Sequence, residues 1–360
     1  MATKVEGEVP PEASAPIPEA VARSLGDESR PLLPPGIARK AVLGLILAFV
    51  AGVPLVVKQF EADWISLALV YVIIGLSINI LMGYAGQISL GHQAFVGVGA
   101  FTSAIIVSKA DMPFPVGMAA AAATGAVAAV ALGLVALRLK GLYLALITLA
   151  YGAIAEGTLF SIGSLTGGGA GTSAPRPPGF TSNRAYVYLC LLVLALLFLV
   201  DWRLIRSKAG RAILAIRENE LAAASFGINV VAYKLMAFVL SGAFAGIAGS
   251  LFAHRRTVVV GVDFDFTRAL TFVLMAVVGG LGSRAGIFIA SAFFALFPLV
   301  FNSLTVYVPL IGAALLLITL TLNPGGIAQQ LKPVSDWLAG EPFRLRHPPK
   351  LKSRGGDAQA

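Results

Sequence analysis

The chain has 360 residues, of which 57% are hydrophobic and only 12% charged, and its formal net charge is +9. Soluble globular proteins carry roughly a quarter charged residues, so this composition excludes a water-soluble domain for most of the length. The single cysteine, Cys190, lies in an apolar run, which excludes an intrachain disulfide, and no Cys/His cluster suggests a metal, so neither metal nor cofactor is expected in this chain.

Residues 1–40 are rich in Pro, Ala and Glu and read as a disordered cytoplasmic tail. The first apolar run begins at Ala41, too late for a cleaved signal peptide. Ten apolar runs follow at about 41–57, 64–82, 93–109, 114–137, 141–160, 186–200, 231–253, 268–282, 286–302 and 304–322. Their lengths approach the roughly 20 residues that cross a bilayer core as helix. The run at 186–200 is short and borrows from its flanks. The expected fold is all-α, a polytopic integral membrane bundle of about ten helices over 41–325. A loop at 201–230 interrupts it, and a basic tail at 326–360 follows. With both termini in the cytoplasm, twenty of the 27 Lys and Arg fall inside. The other seven are Lys58, Lys109, Arg176, Arg184, Arg255, Arg256 and Arg268. This agrees with the positive-inside rule and accounts for the net charge without nucleic acid.

Four segments hold residue types that carry chemistry. In GYAGQISLGHQAFVGVGAF, from Gly83 to Phe101, glycines interrupt a helix where Gln87, Ser89, His92 and Gln93 gather. Irregular backbone at membrane depth is tolerated where it is buried in protein or lines a cavity. The segment therefore reads either as a pathway lining or as close packing with polar caps. In LTGGGAGTSAPRPPGF, from Leu165 to Phe180, the glycines lack the Gly-Lys-Ser/Thr ending of a phosphate loop. This external loop suits a connector or a partner contact. The stretch from Gly210 to Lys234 is helical in composition and stops at Gly227 and Asn229. Arg217, Glu218, Asn219 and Glu220 give it a polar face, and Ala222, Ala223 and Ala224 a small one. It fits a surface helix or a docking helix. In VVGGLGSRAGIFIA, Gly282 and Gly286 are spaced as GxxxG, as are Gly242 and Gly246. Such pairs bring helices together. Gly279, Gly280 and Gly282 also echo the Gly83–Gly86 break, a hint of repeated halves.

In order and spacing, GYAGQISLGH, GLYLALITLAYG (141–152), LTGG (165–168), REN with GIN (217–219, 227–229), GGLGS (279–283) and NPGG (323–326) resemble the LivM-type permeases of branched-chain amino-acid ABC importers. The resemblance covers about 65–328. Gln93 and Val259-Val260-Gly261 depart from the family's usual residues, and the Glu220-to-Gly227 spacing is one residue longer than the general coupling loop. The resemblance implies an inner-membrane permease, paired with a second homologous permease, that passes branched-chain amino acids or related small polar solutes such as urea and amides into the cytoplasm. Two cytosolic ATPases, which bind the ATP and Mg, would grip the 210–230 helix, and an external solute-binding protein would deliver the solute. Pathway roles are expected for Gly83, Gly86, Gln87, Ser89, Gly91, His92 and Glu156. Coupling roles would fall to Arg211, Arg217, Glu218, Asn219, Glu220 and Gly227. Helix packing would fall to Gly242, Gly246, Gly279, Gly280, Gly282 and Gly286. Glu156, ionisable within a span, is a candidate by position alone. A passive channel and an ion-coupled transporter are the rival classes. No Walker A, HExxH or triad arrangement supports an enzyme.

Overall fold

The computed structural model describes residues 54–137, 139, 141–301 and 308–322, together with residues 52, 326 and 327. The 1–40 tail, most of the first expected span and nearly all of the 326–360 tail lie outside the described residues. The other nine expected spans each fall on a helix.

The first, α1, runs from Gln59 to Ile78 and continues as a π-helical segment, Asn79–Tyr84, giving 26 residues, enough to cross a bilayer. It has no polar face, and 89% of its most apolar window is buried inside the protein. A helix apolar all round belongs in the centre of a bundle, and α1 is enclosed by the later helices. α2 (His92–Ser108) and α3 (Phe114–Ala136) follow, with Pro115 pre-setting the first turn of α3. α4 spans Leu142–Gly157, and a short α5, Gly163–Thr166, lies in the connection that follows it.

α6 extends from Asn183 to Arg206, longer than its apolar run at both ends. Its basic last turn stays helical because Arg206 stacks over Trp202, 4.1 Å from the ring centre, and Asp201 is paired inside the protein. The expected loop helix is two helices, α7 (Lys208–Glu218) and α8 (Glu220–Ser225), because Asn219 adopts extended backbone and its Oδ1 caps α8 at Ala222 N–H. α9 (Val230–Arg256), α10 (Phe266–Gly279), α11 (Arg284–Val300) and α12 (Val308–Leu322) complete the bundle. Side chains of Ser182, Ser207, Asn229, Asp265 and Ser283 cap α6, α7, α9, α10 and α11. Each such cap satisfies a backbone donor that the helix itself leaves free.

The most extensive packing joins α9 to α2 and α3. A Cβ on Gly246 would lie 2.1 Å from the Ala121 carbonyl oxygen, and one on Gly242 would lie 2.3 Å from that of Gly125. Gly249 meets Val96 of α2 in the same way, at 2.0 Å. Small residues let the backbones themselves touch, which is where membrane helices gain dispersion energy in the absence of a hydrophobic drive between them.

Contacts sort the loops into two ends. At one end, β1 (Thr172–Ser173) pairs antiparallel with β2 (Val258–Val259), Thr172 opposite Val259. Lys109 reaches the Ser164 carbonyl, Arg184 that of Val57, and Arg176 and Arg255 both pair with Asp63. At the other end, Arg217, Asp201, Arg284 and the glycine break come together.

Candidate functional site

The glycine break lies where α1 stops being α-helical. In the widened turns Ala85 N–H donates to the Ile80 carbonyl at 3.2 Å, and Gln87 N–H donates to that of Leu81 at 3.0 Å. The cause is tertiary. Asn79 Oδ1 accepts the Gly282 N–H at 2.8 Å, so the GGLGS turn between α10 and α11 sits directly on the π segment. A Cβ on Gly83 would stand 2.7 Å from Gly282 N, which explains why the break needs glycine there.

The third member of this node comes from the 201–230 loop. Arg217, at the end of α7, donates through Nη1 to the Gly83 carbonyl. Its stem covers Gly86, where a Cβ would meet Arg217 Cγ at 3.2 Å, and its Nη1 would meet a Cβ on Gly282 at the same distance. One guanidinium therefore touches the α1–α2 break and the α10–α11 turn at once. Gly326 closes the far side of that turn, its added Cβ 2.7 Å from Gly280.

Beside the node lies a buried ion pair. Asp201 is fully buried and pairs with Arg284 through Nε, Arg284 Nη2 donates to the Asp201 carbonyl at 3.2 Å, and Tyr84 OH donates to Asp201 Oδ2 at 3.3 Å. Removing one partner of a buried pair leaves the other charged and unsatisfied, usually at about 3–5 kcal/mol; with the Arg284 side chain still 25% exposed, about 2–3 kcal/mol is expected for Asp201→Ala. This is read as a lower unfolding midpoint in detergent, and an unchanged midpoint would show the pair to be idle.

The remaining pathway candidates are placed as follows. Gln87 is buried and turns back on its own loop, donating to the Ala85 carbonyl at 3.1 Å. Ser89 Oγ is buried and has no partner among the described residues. Leu90 N–H donates to Thr148 Oγ1 of α4 at 2.9 Å, and Gly91 packs directly on the Thr148 carbonyl. His92 is fully buried. Ser77 Oγ donates to the Ser241 carbonyl at 2.6 Å and stands 2.7 Å from His92 Nε2. With the serine proton committed, the network assigns the imidazole proton to Nε2. His92 thus joins α2 to α1 and α9. Glu156 is half-buried in the last turn of α4, apart from these residues in the fold, and makes no side-chain hydrogen bond among the described residues.

Of the coupling candidates, Arg211 donates to the Arg206 carbonyl at 3.0 Å, while Glu218 and Asn219 are exposed. Lys234 Nζ pairs with Glu220 at 3.0 Å, anchoring α8 to α9, and Gly227, at φ +80°, turns the chain between these helices. Of the packing glycines, Gly242 and Gly246 lie in the α3–α9 contact. Gly279 meets the Gly286 carbonyl across the turn, and Gly280 and Gly282 form the turn itself.

At the opposite end a cavity of about 720 Å³ opens between α1, α9, α10 and α11. Its polar wall includes Asp63, Tyr71, Arg255, Arg256, Asp265 and Arg268. None of the seven pathway residues read from the sequence lines it. Sequence reasoning used Arg255, Arg256 and Arg268 only as counted charges. It missed Asn79 and the Asp201–Arg284 pair, whose partners are far away along the chain. It also missed Leu221 and Phe226 of the 201–230 loop, which stand 81% and 86% exposed.

Residues 61–322 match the family described as branched-chain amino acid transport system / permease component. The chain belongs to this family. It is similar to the high-affinity branched-chain amino acid transport system permease proteins LivM of Salmonella typhimurium and Escherichia coli. Each is 30% identical over 326 residues, covering 82% of this chain and 76% of the relative. A probable branched-chain amino acid transport permease protein LivM of Methanocaldococcus jannaschii is 26% identical over 270 residues, covering 62% of this chain and 77% of that protein. No solved structure matches. This LivM-type permease is a multi-pass membrane protein and a transport component, not an enzyme.

Proposed function

We propose that this permease is one of two membrane-spanning subunits of an ATP-driven importer that moves branched-chain amino acids into the cytoplasm. Both termini and the α7–α8 loop face the cytoplasm of a bacterial inner membrane. An external binding protein delivers the amino acid to the β1–β2 end. The second permease is a homologous chain, and two cytosolic ATPases supply the energy.

The observation that carries this reading is the reach of Arg217 from the cytoplasmic loop into the glycine break. Leu221 and Phe226 are bare apolar side chains on the same loop, suited to enter a groove on an ATPase, as exposed apolar anchors do in helix-in-groove recognition. When the ATPases close, α8 is displaced. The Lys234–Glu220 pair and Asn219 pass that displacement to α9 and α7, and Arg217 passes it to the Gly83 carbonyl and the 280–283 turn. The α1–α2 break and the α10–α11 turn would then shift together, changing which end of the bundle is open. The π segment suits this role, because widened turns recur at functional sites in helices.

The test is uptake of radiolabelled leucine by the chain reconstituted with its partner permease, ATPases and binding protein. Accumulation above the external level that needs both ATP and the binding protein is expected. Equilibration without ATP would replace the importer with a channel, and dependence on an ion gradient would replace it with a secondary transporter.

A further inference from the structure

The charges around the outer cavity do not all cancel. Asp63 is shared by Arg255, at 2.5 Å, and Arg176, at 3.6 Å, and Arg256 pairs with Asp263 at 3.3 Å. Two groups on the wall are left over. Arg268 forms no ion pair among the described residues; its Nη1 donates to Tyr71 OH at 2.6 Å. Asp265 forms none either, and its Oδ1 accepts only the Arg268 backbone N–H at 3.0 Å, as the cap of α10. One cation and one anion, three residues apart, thus face a shared space, where Arg268 feels the charges of Asp265 and Asp263 without a direct ion-pair contact to either. The rest of the wall holds the hydroxyls of Thr267 and Thr271 and an apolar side made by Trp64, Leu67, Phe252, Phe294, Ala295 and Pro298. The volume lies within the range of small-molecule sites, about 300–1,000 Å³. Such sites combine a mostly apolar lining with a few placed polar groups that fix orientation.

Resting on the importer reading above, we propose that this cavity is a receiving site for a free zwitterionic amino acid, with Arg268 holding the carboxylate, Asp265 the ammonium, and the Leu67–Phe294–Pro298 wall the aliphatic side chain. An amino acid brings both charges and an apolar branch, so it satisfies all three parts at once. A monovalent anion or amine would leave one charge unpaired in a partly dry cavity, which is costly. Selection in the importer is then not confined to the binding protein: the permease checks the zwitterion again before the pathway opens.

Thr267 lines the cavity and is exposed, whereas Cys190, the native cysteine, is buried. Thr267→Cys in the assembled importer, reconstituted without binding protein, gives a thiol for a charged methanethiosulfonate reagent. L-Leucine is expected to slow labelling several-fold, while leucinol, which lacks the carboxylate, and isocaproate, which lacks the ammonium, leave it unchanged. Adding Arg268→Gln should raise the half-protecting leucine concentration by about tenfold or more, the effect of one lost charge-assisted hydrogen bond. Arg268→Lys should recover part of it. Equal protection by isocaproate would make the cavity an anion site and overturn the zwitterion. Absence of leucine protection, while wild-type vesicles with binding protein and ATP accumulate leucine, would overturn the receiving site alone. If those wild-type vesicles accumulate no leucine, the importer reading fails and the site falls with it.

Discussion

Gly246→Leu is expected to abolish recovery of folded protein, whereas Gly157→Ala changes nothing. The two glycines are chemically identical, and only their surroundings differ. A Cβ on Gly246 would stand 2.1 Å from the Ala121 carbonyl oxygen and 3.4 Å from the Ala122 Cα, while a Cβ on Gly157 would meet nothing within 4 Å. The clash at Gly246 is with main chain, which cannot rotate away as a side chain would. Overpacking a core commonly costs about 1–3 kcal/mol, and a backbone collision across an interhelical contact should exceed that range. α3 and α9 would have to separate, and the Gly242–Gly125 and Gly249–Val96 contacts would be lost with them. Size-exclusion chromatography of the detergent-solubilised variants reads the result. A monodisperse Gly246→Leu peak at wild-type yield would show that the α3–α9 contact does not hold the bundle.

Arg217→Met should separate ATP hydrolysis from transport. Methionine keeps the apolar stem over Gly86 and removes the donors, so the Gly83 carbonyl loses its charged partner. A hydrogen bond to a charged group contributes about 1.5–3 kcal/mol, and every 1.4 kcal/mol is about tenfold, so uptake should fall by at least about tenfold if the bond is needed in the transporting cycle. Leu221 and Phe226 remain in place, so ATPase docking and stimulated hydrolysis should stay within about threefold of wild type. Lysine should not rescue transport, because a point ammonium does not reproduce the reach and fork of the guanidinium. Uptake and hydrolysis falling in parallel would show that Arg217 serves assembly and not coupling.

The helical layout was legible because hydropathy reports how each segment is solvated. Nine expected spans fall on helices for that reason, and Gly227 and Asn229 end and begin helices through local backbone and capping preferences. The two-helix form of the 201–230 loop was less visible, since helix-forming residues flank Asn219 and its capping role emerges only once the backbone extends there. Asp201 shows the limit most clearly. As an aspartate beside basic residues it reads as the start of a polar loop, yet it lies inside α6 because Arg284, 83 positions later, comes to meet it. The node at Gly83 was half visible. The glycines stood out, while their reason, the Gly282 N–H on Asn79 and the guanidinium of Arg217, depends on contacts across more than a hundred residues. The cavity at the β1–β2 end left no local pattern at all, because its wall is drawn from four helices.

The enclosure of α1 also constrains the order of biogenesis. α1 leaves the ribosome long before α9, α10 and α11 exist, and the long-range bonds of its inner polar groups span 164 residues from Ser77 to Ser241 and 203 from Asn79 Oδ1 to Gly282. At a synthesis rate of about 5–20 residues per second, α1 would wait roughly 10–40 seconds in the bilayer for those partners. During that time its other faces meet lipid. A helix destined for the centre must therefore first be acceptable to the membrane on every side, which accounts for the absence of a polar stripe on the most buried helix of the bundle.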